Sequence, residues 1–322
     1  MKILTRKTHP GQFSIEALNK SLFAKMRGVD ILHAPAHSGG FWNRVRIIAW
    51  AYGLRSKPIH IAGDIHFVGL VLRKNKFTQT VHDIAILDNL KGWRRYVVQK
   101  CWVEWPILRS YCTICISEAT RKSILDLNPR LKNKLKVIQN PFLEPEVAPR
   151  VEPEKKYDVL SIGAKWNKNL AWVAKALEGS GKQWAIVGRP PELDELKAQF
   201  PKLNIIGFSN VSDQELHSLY QKSGCLVMAS SHEGFGLPIL EAQFLGIPVI
   251  CSDIPIFREV AGEGATLVPL NDVGELRGIL VSDSETFIEK TVLAGKNNVK
   301  RFNLEETKKK YQNIFSALKG HG

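Results

Sequence analysis

The sequence predicts an α/β protein of two Rossmann-like domains, each a parallel sheet covered on both faces by helices, and three observations carry that prediction. Short β-branched runs alternate with helix-length amphipathic segments along the chain, the pattern of repeated strand, helix, strand units. Near the middle the chain reads NPFLEPEVAPRVEPEKKY, with Pro141, Pro145, Pro149 and Pro153 set among charges, which is a linker composition. The chain has 322 residues with 44% hydrophobic side chains, enough for two buried cores at about 100–200 residues per domain.

The elements follow in order. KILT, VDILHA, IHIAG, TQTVHD, CTICIS and LKVIQN read as the strands of the first half. YDVLSIG, QWAIVG, LNIIGF, CLVMAS, IPVICS and ATLVPL read as those of the second. These runs place the first domain at 1–145, the linker at 146–156 and the second domain at 157–302. NLEETKKKYQNIFSALK, within 303–322, reads as a terminal amphipathic helix. In open parallel sheets ligands bind beyond the carboxyl ends of the strands, so side chains with chemistry are sought just after these runs.

Composition narrows the function. Residues 1–150 carry 25 Lys and Arg against 10 Asp and Glu, whereas residues 151–322 carry 20 against 21. Such a basic half suits nucleic acid, anionic lipid, a phosphorylated substrate or plain solvation, and charge alone does not choose. A nucleic-acid-binding protein would interleave basic and aromatic residues on both domains, and the near-neutral second half argues against that. A dehydrogenase would run a strand into GxGxxG, a pattern that GFGLPI breaks at its third glycine. Five cysteines, an odd number, suggest no disulfide framework. Cys112 and Cys115 form a CxxC inside a strand, where residues three apart face opposite ways, so strand packing is the expected role. The opening MKILTRKTHPGQ is too polar for a signal peptide and no 18-residue apolar stretch follows, so a cytoplasmic protein is expected, with any membrane contact peripheral.

The most informative stretch is SSHEGFGLPILEAQ, residues 230–243. Gly234 and Gly236 permit a tight turn after the strand, Pro238 suits a first helical turn, and Gly246 suits a C-terminal cap before Pro248. The amides around Phe235, Gly236 and Leu237 then form an open helix N-terminus, a natural anion seat. Glu241 lies about one turn inside, and helical side chains lean back towards the N-terminus, so its carboxylate approaches the same mouth as Glu233. Carboxylates repel phosphate and are better used as hydroxyl acceptors. That combination suits a sugar nucleotide, with amides for the diphosphate, Glu241 for a ribose diol and Glu233 for the transferred sugar. The alternative, two ordinary acids at a helix start, remains open here.

Glu233 and Glu241 are separated by seven residues, and Leu245, Gly246, Pro248, Ser252, Asp253, Pro255 and Glu259 follow. With these positions, Ser230 to Glu259 resembles the signature of the group 1 (family 4) retaining glycosyltransferases, a family of GT-B fold. The resemblance is strongest from Tyr157 to Leu270. It implies two Rossmann-like domains facing across a cleft, the acceptor-side domain first and the nucleotide-sugar-binding domain second. The terminal helix would cross back to the first domain. SIGAKWNKNL, residues 161–170, resembles the family's first loop of the second domain. By that resemblance Gly163, Asn169 and the basic Lys165 contact the donor, and Lys168 stabilises the leaving diphosphate. A solvated lysine at a helix start is the structural alternative for Lys168. Gly207 and Phe208, in IIGFSN, would line the base pocket. His82, beside Asp83 at the end of TQTVHD, would contact the donor sugar near its reacting carbon. ISEAT and IQNP match as architecture, and THPGQFSIE lacks the double glycine that many relatives carry after their first strand.

The resemblance therefore implies retaining, hexosyltransferase-like transfer from a nucleotide-sugar donor to a glycan or lipid-linked acceptor, in bacterial polysaccharide or envelope glycan synthesis. His82, Glu233 and Lys168 would be catalytic. No cofactor is expected, and without an Asp-x-Asp no metal either. A non-hydrolysing sugar-nucleotide epimerase and a non-catalytic sugar-nucleotide-binding subunit share the fold and stand as alternatives. KGWRRYVVQKCWVEWPILR, residues 91–109, sets Trp93, Trp102 and Trp105 among Lys91, Arg94, Arg95, Lys100 and Arg109. It reads equally as a helix lying on the inner face of an anionic membrane and as one whose tryptophans pack inside.

Overall fold

A computed structural model describes residues 1–7, 14–88, 90–144, 154–281 and 285–320. The chain divides into two compact units, Met1–Leu143 with Phe302–Gly322, and Glu144–Arg301. Most of the loop THPGQFSIE and of the linker lies outside the described residues.

The first unit holds β1 (Lys2–Thr5), β2 (Asp30–His33), β3 (Ile59–Ile61), β4 (Phe77–Val81), β5 (Cys112–Cys115) and β6 (Leu135–Val137). They form one parallel sheet in the order β2-β1-β3-β4-β5-β6. Successive side chains of a strand point to opposite faces, and both faces are buried: Ile3 packs with Leu22, Phe23 and Ile114, while Leu4 packs with Ile47, Ile61 and Phe77. The same alternation separates Cys112 and Cys115. Each is buried in a different apolar cluster, and burial pushes their thiols up to about 11 and about 12. They are packing residues, as their strand position predicts.

The terminal helix, Leu304–Gly320, returns to this unit and seats Tyr311, Ile314 and Phe315 against Ile3, Leu18 and Phe23. Tyr311 anchors it through a hydroxyl 3.0 Å from Thr80 Oγ1. Residues 91–109 match neither sequence reading whole. They are helical as Gly92–Val98, a π-helical stretch Gln99–Glu104 and Trp105–Arg109. Trp102 packs inward, 4.4 Å from the Phe67 ring, and Arg109 donates to the carbonyls of Gly69 and Leu72. Trp93 and Trp105 stay exposed.

The second unit holds β7 (Tyr157–Ile162), β8 (Gln183–Val187), β9 (Asn204–Phe208), β10 (Ser223–Met228), β11 (Val249–Ser252) and β12 (Thr266–Val268). Their parallel order is β12-β11-β10-β7-β8-β9. The chain builds outward from β7 to β9, then crosses back to lay β10 on the other side of β7. This reversal is a topological switch point, where the loops leaving two neighbouring strands part and open a crevice. Here those loops are residues 163–169 and 229–236, the two segments the sequence marks.

Candidate active site

β7 is followed by Gly163, which takes φ 89° and donates its amide to Val187 O at 2.7 Å. A Cβ there would lie 2.7 Å from Lys168 Cε, so the glycine leaves the space through which the lysine folds back. A single helical turn, Trp166–Lys168, leads into Asn169, whose left-handed φ of 46° is one that asparagine tolerates. Its Nδ2 donates to Ala229 O at 2.9 Å, in the loop after β10. Asn167 Nδ2 donates to His232 O at 3.1 Å and accepts from Ser231 N at 2.8 Å on its carbonyl. Three hydrogen bonds thus tie the two switch-point loops together.

The chemistry sits on that frame. Lys168 Nζ is 2.5 Å from Glu233 Oε1, and Ser230 Oγ donates to the same oxygen at 2.7 Å. The two charged side chains are 16% and 17% exposed, shielded from bulk solvent yet reachable. Ser252 Oγ donates to Ser230 O and holds this loop to β11. Beyond the loop, Gly236 at φ 101° starts the helix Leu237–Leu245, with Pro238 in its first turn and Gly246 closing it in the left-handed conformation. No side chain caps the N-terminus of this helix. Gly234 is not among the glycines with positive φ, so the turn needs only Gly236 for that freedom.

Glu241 points from this helix to Tyr220, whose hydroxyl donates to Oε2 at 2.7 Å. Burial pushes the Glu241 carboxyl above its ordinary range, opposed by the Tyr220 hydrogen bond, and the same burial raises the Tyr220 hydroxyl strongly. Lys165 is exposed, with no ion pair or hydrogen bond from its side chain among the described residues. Gly207 and Phe208 end the edge strand β9, two strands from β7, Gly207 against Leu193 and Phe208 half-buried.

His82 belongs to the first unit, just past β4. It is buried and hydrogen-bonded to the backbone of Ala62, while its Nε2 has no partner among the described residues. Burial lowers its pKa against the pull of Asp64, so the ring is neutral and offers an unfilled polar atom. Asp83 is spent locally, accepting from Ala85 N at 3.0 Å. The structure therefore places Gly163, Lys165, Lys168, Asn169, Glu233, Gly234, Phe235, Gly236 and Leu237 on or beside the two switch-point loops, with the Lys165 side chain exposed, sets Glu241 behind them, and leaves Gly207 and Phe208 two strands away. Sequence reasoning missed Ser230 and Asn167, although both flank marked residues. It also missed Trp166, 67% exposed, whose ring centre lies 5.3 Å from that of His232 at a tilt of 52°. Nothing in the sequence points from Glu241 to Tyr220, 21 residues away.

Comparison with known proteins agrees with this geometry. Residues 144–281 match the family described as Glycosyl transferases group 1. The second unit is a group 1 glycosyl transferase domain. The O-antigen chain mannosyltransferase RfbU of Salmonella typhimurium is 30% identical over 207 residues, 61% of this chain and 57% of RfbU. The chain thus spans less than two thirds of that relative's length. The group 1 domain and the unit that accompanies it also superpose on solved structures at low identity. Sucrose-phosphate synthase from Thermosynechococcus elongatus covers 100% of both chains with TM-score 0.77 and 15% identity. Anabaena HepE, crystallised with UDP and glucose, covers 98% of this chain and 100% of its own with TM-score 0.75 and 15% identity. These likenesses show the GT-B fold.

Proposed function

We propose that this chain is a retaining glycosyltransferase that moves a sugar from a nucleotide-sugar donor to a glycan or lipid-linked acceptor in bacterial surface polysaccharide synthesis. The carrying observation is the Lys168–Glu233 pair beside an uncapped helix N-terminus at the switch point of a group 1 domain. A donor diphosphate would take the amides at Gly236 and Leu237 and draw Lys168 from Glu233 to the leaving phosphate. Preorganised charge of this kind is typically worth a few kcal/mol at a transition state. Glu233, still held by Ser230, is then free to accept from a sugar hydroxyl, and the second oxygen of Glu241 from a ribose hydroxyl. In the first unit, neutral His82 offers an unfilled acceptor of the kind a sugar hydroxyl would use.

In the reaction the bond from anomeric carbon to phosphate oxygen breaks, and the acceptor hydroxyl bonds that carbon on the same face, its proton passing to the departing phosphate. Retention follows without a covalent enzyme intermediate. Lys168 and the amides would provide the positive charge, so no metal is required. Mannose is the first sugar to test, because RfbU is named a mannosyltransferase. No helix among the described residues is long and apolar enough to cross a membrane. The protein would act in the cytoplasm, touching a membrane-borne acceptor peripherally through residues 91–109.

The test is transfer from mannosyl nucleotides to a membrane extract in the presence of EDTA, with the product's anomeric configuration read by NMR. Retained configuration without added metal is expected. An inverted product, a strict need for a divalent ion, or turnover of donor in the absence of acceptor would contradict the proposal.

A further inference from the structure

Among the described residues, thirteen large apolar side chains are exposed, and ten of them fall between residues 41 and 108. Such concentration marks a surface that meets something apolar. Helix Phe41–Gly53 buries Ile47 and Ala51. Trp42, Val45, Ala49 and Tyr52, spaced three, four and three apart, form a second apolar stripe on its solvent side, with Trp42 76% exposed. A surface helix of a soluble protein carries polar residues there. The helical run from Gly92 repeats the arrangement: Trp93, Tyr96 and Val97 face solvent, Trp93 at 72%, while Val103, Pro106 and Ile107 are buried. The two helices are neighbours, for the Arg44 guanidinium lies 4.9 Å from the centre of the Trp102 ring.

Charge identifies the occupant. Residues 41–57 and 91–109 hold nine Lys and Arg and a single acid, Glu104, which is buried and paired with Lys100. Several of these cations sit over the exposed rings: Arg55 lies 3.7 Å from Tyr52, Arg94 5.7 Å from Trp93 and Lys100 5.5 Å from Tyr96. Rings with cations at their rims match a lipid interface, where the aromatic body enters the acyl boundary and the cation reaches phosphate. A second copy of the same face would set these cations against one another, which opposes association.

We propose that the first unit docks on an anionic lipid surface through both helices, with Phe41, Trp42, Trp93 and Tyr96 inserting and Arg46, Arg55 and Arg94 contacting headgroups. This rests on the reading of a membrane-borne acceptor and extends the contact to a helix that the sequence reading did not mark.

The full chain is floated with vesicles of phosphatidylglycerol and phosphatidylcholine, and with phosphatidylcholine alone. Binding to the anionic vesicles only, reversed by high salt, is expected. The double variant Trp42→Ser/Trp93→Ser, whose sites are exposed and whose fold circular dichroism checks, should lose on the order of tenfold in partition. Arg46→Glu/Arg94→Glu should lose at least as much. Both variants should bind nucleoside diphosphate like the wild type, so failure of docking and failure of the donor site read out separately. Wild-type protein that ignores anionic vesicles, or a tryptophan variant that floats unchanged, overturns the proposal. So does a dimer in sedimentation that the tryptophan variant abolishes without any vesicle binding, which would give the face to a second copy.

Discussion

Tyr220 and Glu241 show how much one hydroxyl carries. The tyrosine is fully buried and donates to a carboxylate whose pKa burial already raises. Tyr220→Phe removes the donor and leaves Glu241 less satisfied, an expected cost of about 1–3 kcal/mol in chemical denaturation. The carboxyl should then titrate higher still, because the hydrogen bond is what lowers it. Nucleotide affinity in this variant should therefore rise with pH as the carboxyl loses its proton, because the ionised form is the better acceptor for a ribose hydroxyl. Site residues of this kind were legible in the sequence in proportion to their chain distance from one another. Glu233, Gly236 and Glu241 share one motif, whereas the partner Tyr220 comes from another helix and is placed by tertiary packing that no local pattern encodes. Lys168 was legible as a cation but not as the partner of Glu233, since 64 residues lie between them and the parallel pairing of β7 with β10 is what brings their loops together.

At the scale of elements, the twelve strands among the described residues all lie on runs that β-branched composition marks, because a buried parallel strand is apolar on both faces and stands out from its surroundings. Less legible was the buried polar layer around β4. His60 contacts Thr78 Oγ1 at 2.8 Å and Thr80 Oγ1 at 3.2 Å, and His66 Nε2 lies 2.8 Å from Thr80 O. A histidine inside an apolar run gives no sign of such neighbours. Burial lowers His60 to about 3 and also depresses His82. Groups with a folded pKa below the unfolded one contribute stability that is complete above the unfolded value, near 6.5, and lost as pH falls, because the unfolded chain takes up protons first. Unfolding free energies from urea titration should therefore drop between pH 7 and pH 5, by roughly 1–2 kcal/mol from His60 and further in the same direction from His82. A flat profile over that range would mean that these rings are charged when folded. The helix Phe41–Gly53 was also missed as a surface element, since an apolar stripe on each side of a helix reads in sequence as one buried helix.

The whole molecule divides its labour by charge and by unit. The basic excess lies in the first half, where exposed aromatics accompany it, while the near-neutral second unit carries the group 1 domain and the Lys168–Glu233 pair. That division was visible in composition, but composition alone could not separate lipid, nucleic acid and substrate as its cause. The central claim is that the switch-point crevice of the second unit seats a nucleoside diphosphate without metal. It is tested most directly by calorimetric titration of UDP, GDP and ADP in EDTA against wild type and Lys168→Ala. One nucleotide should bind the wild type, with affinity reduced on the order of tenfold to a hundredfold in the variant, as expected for a shielded charge contact to phosphate. Folded wild-type protein that binds none of the three, or a variant that binds as tightly as the wild type, would contradict the claim.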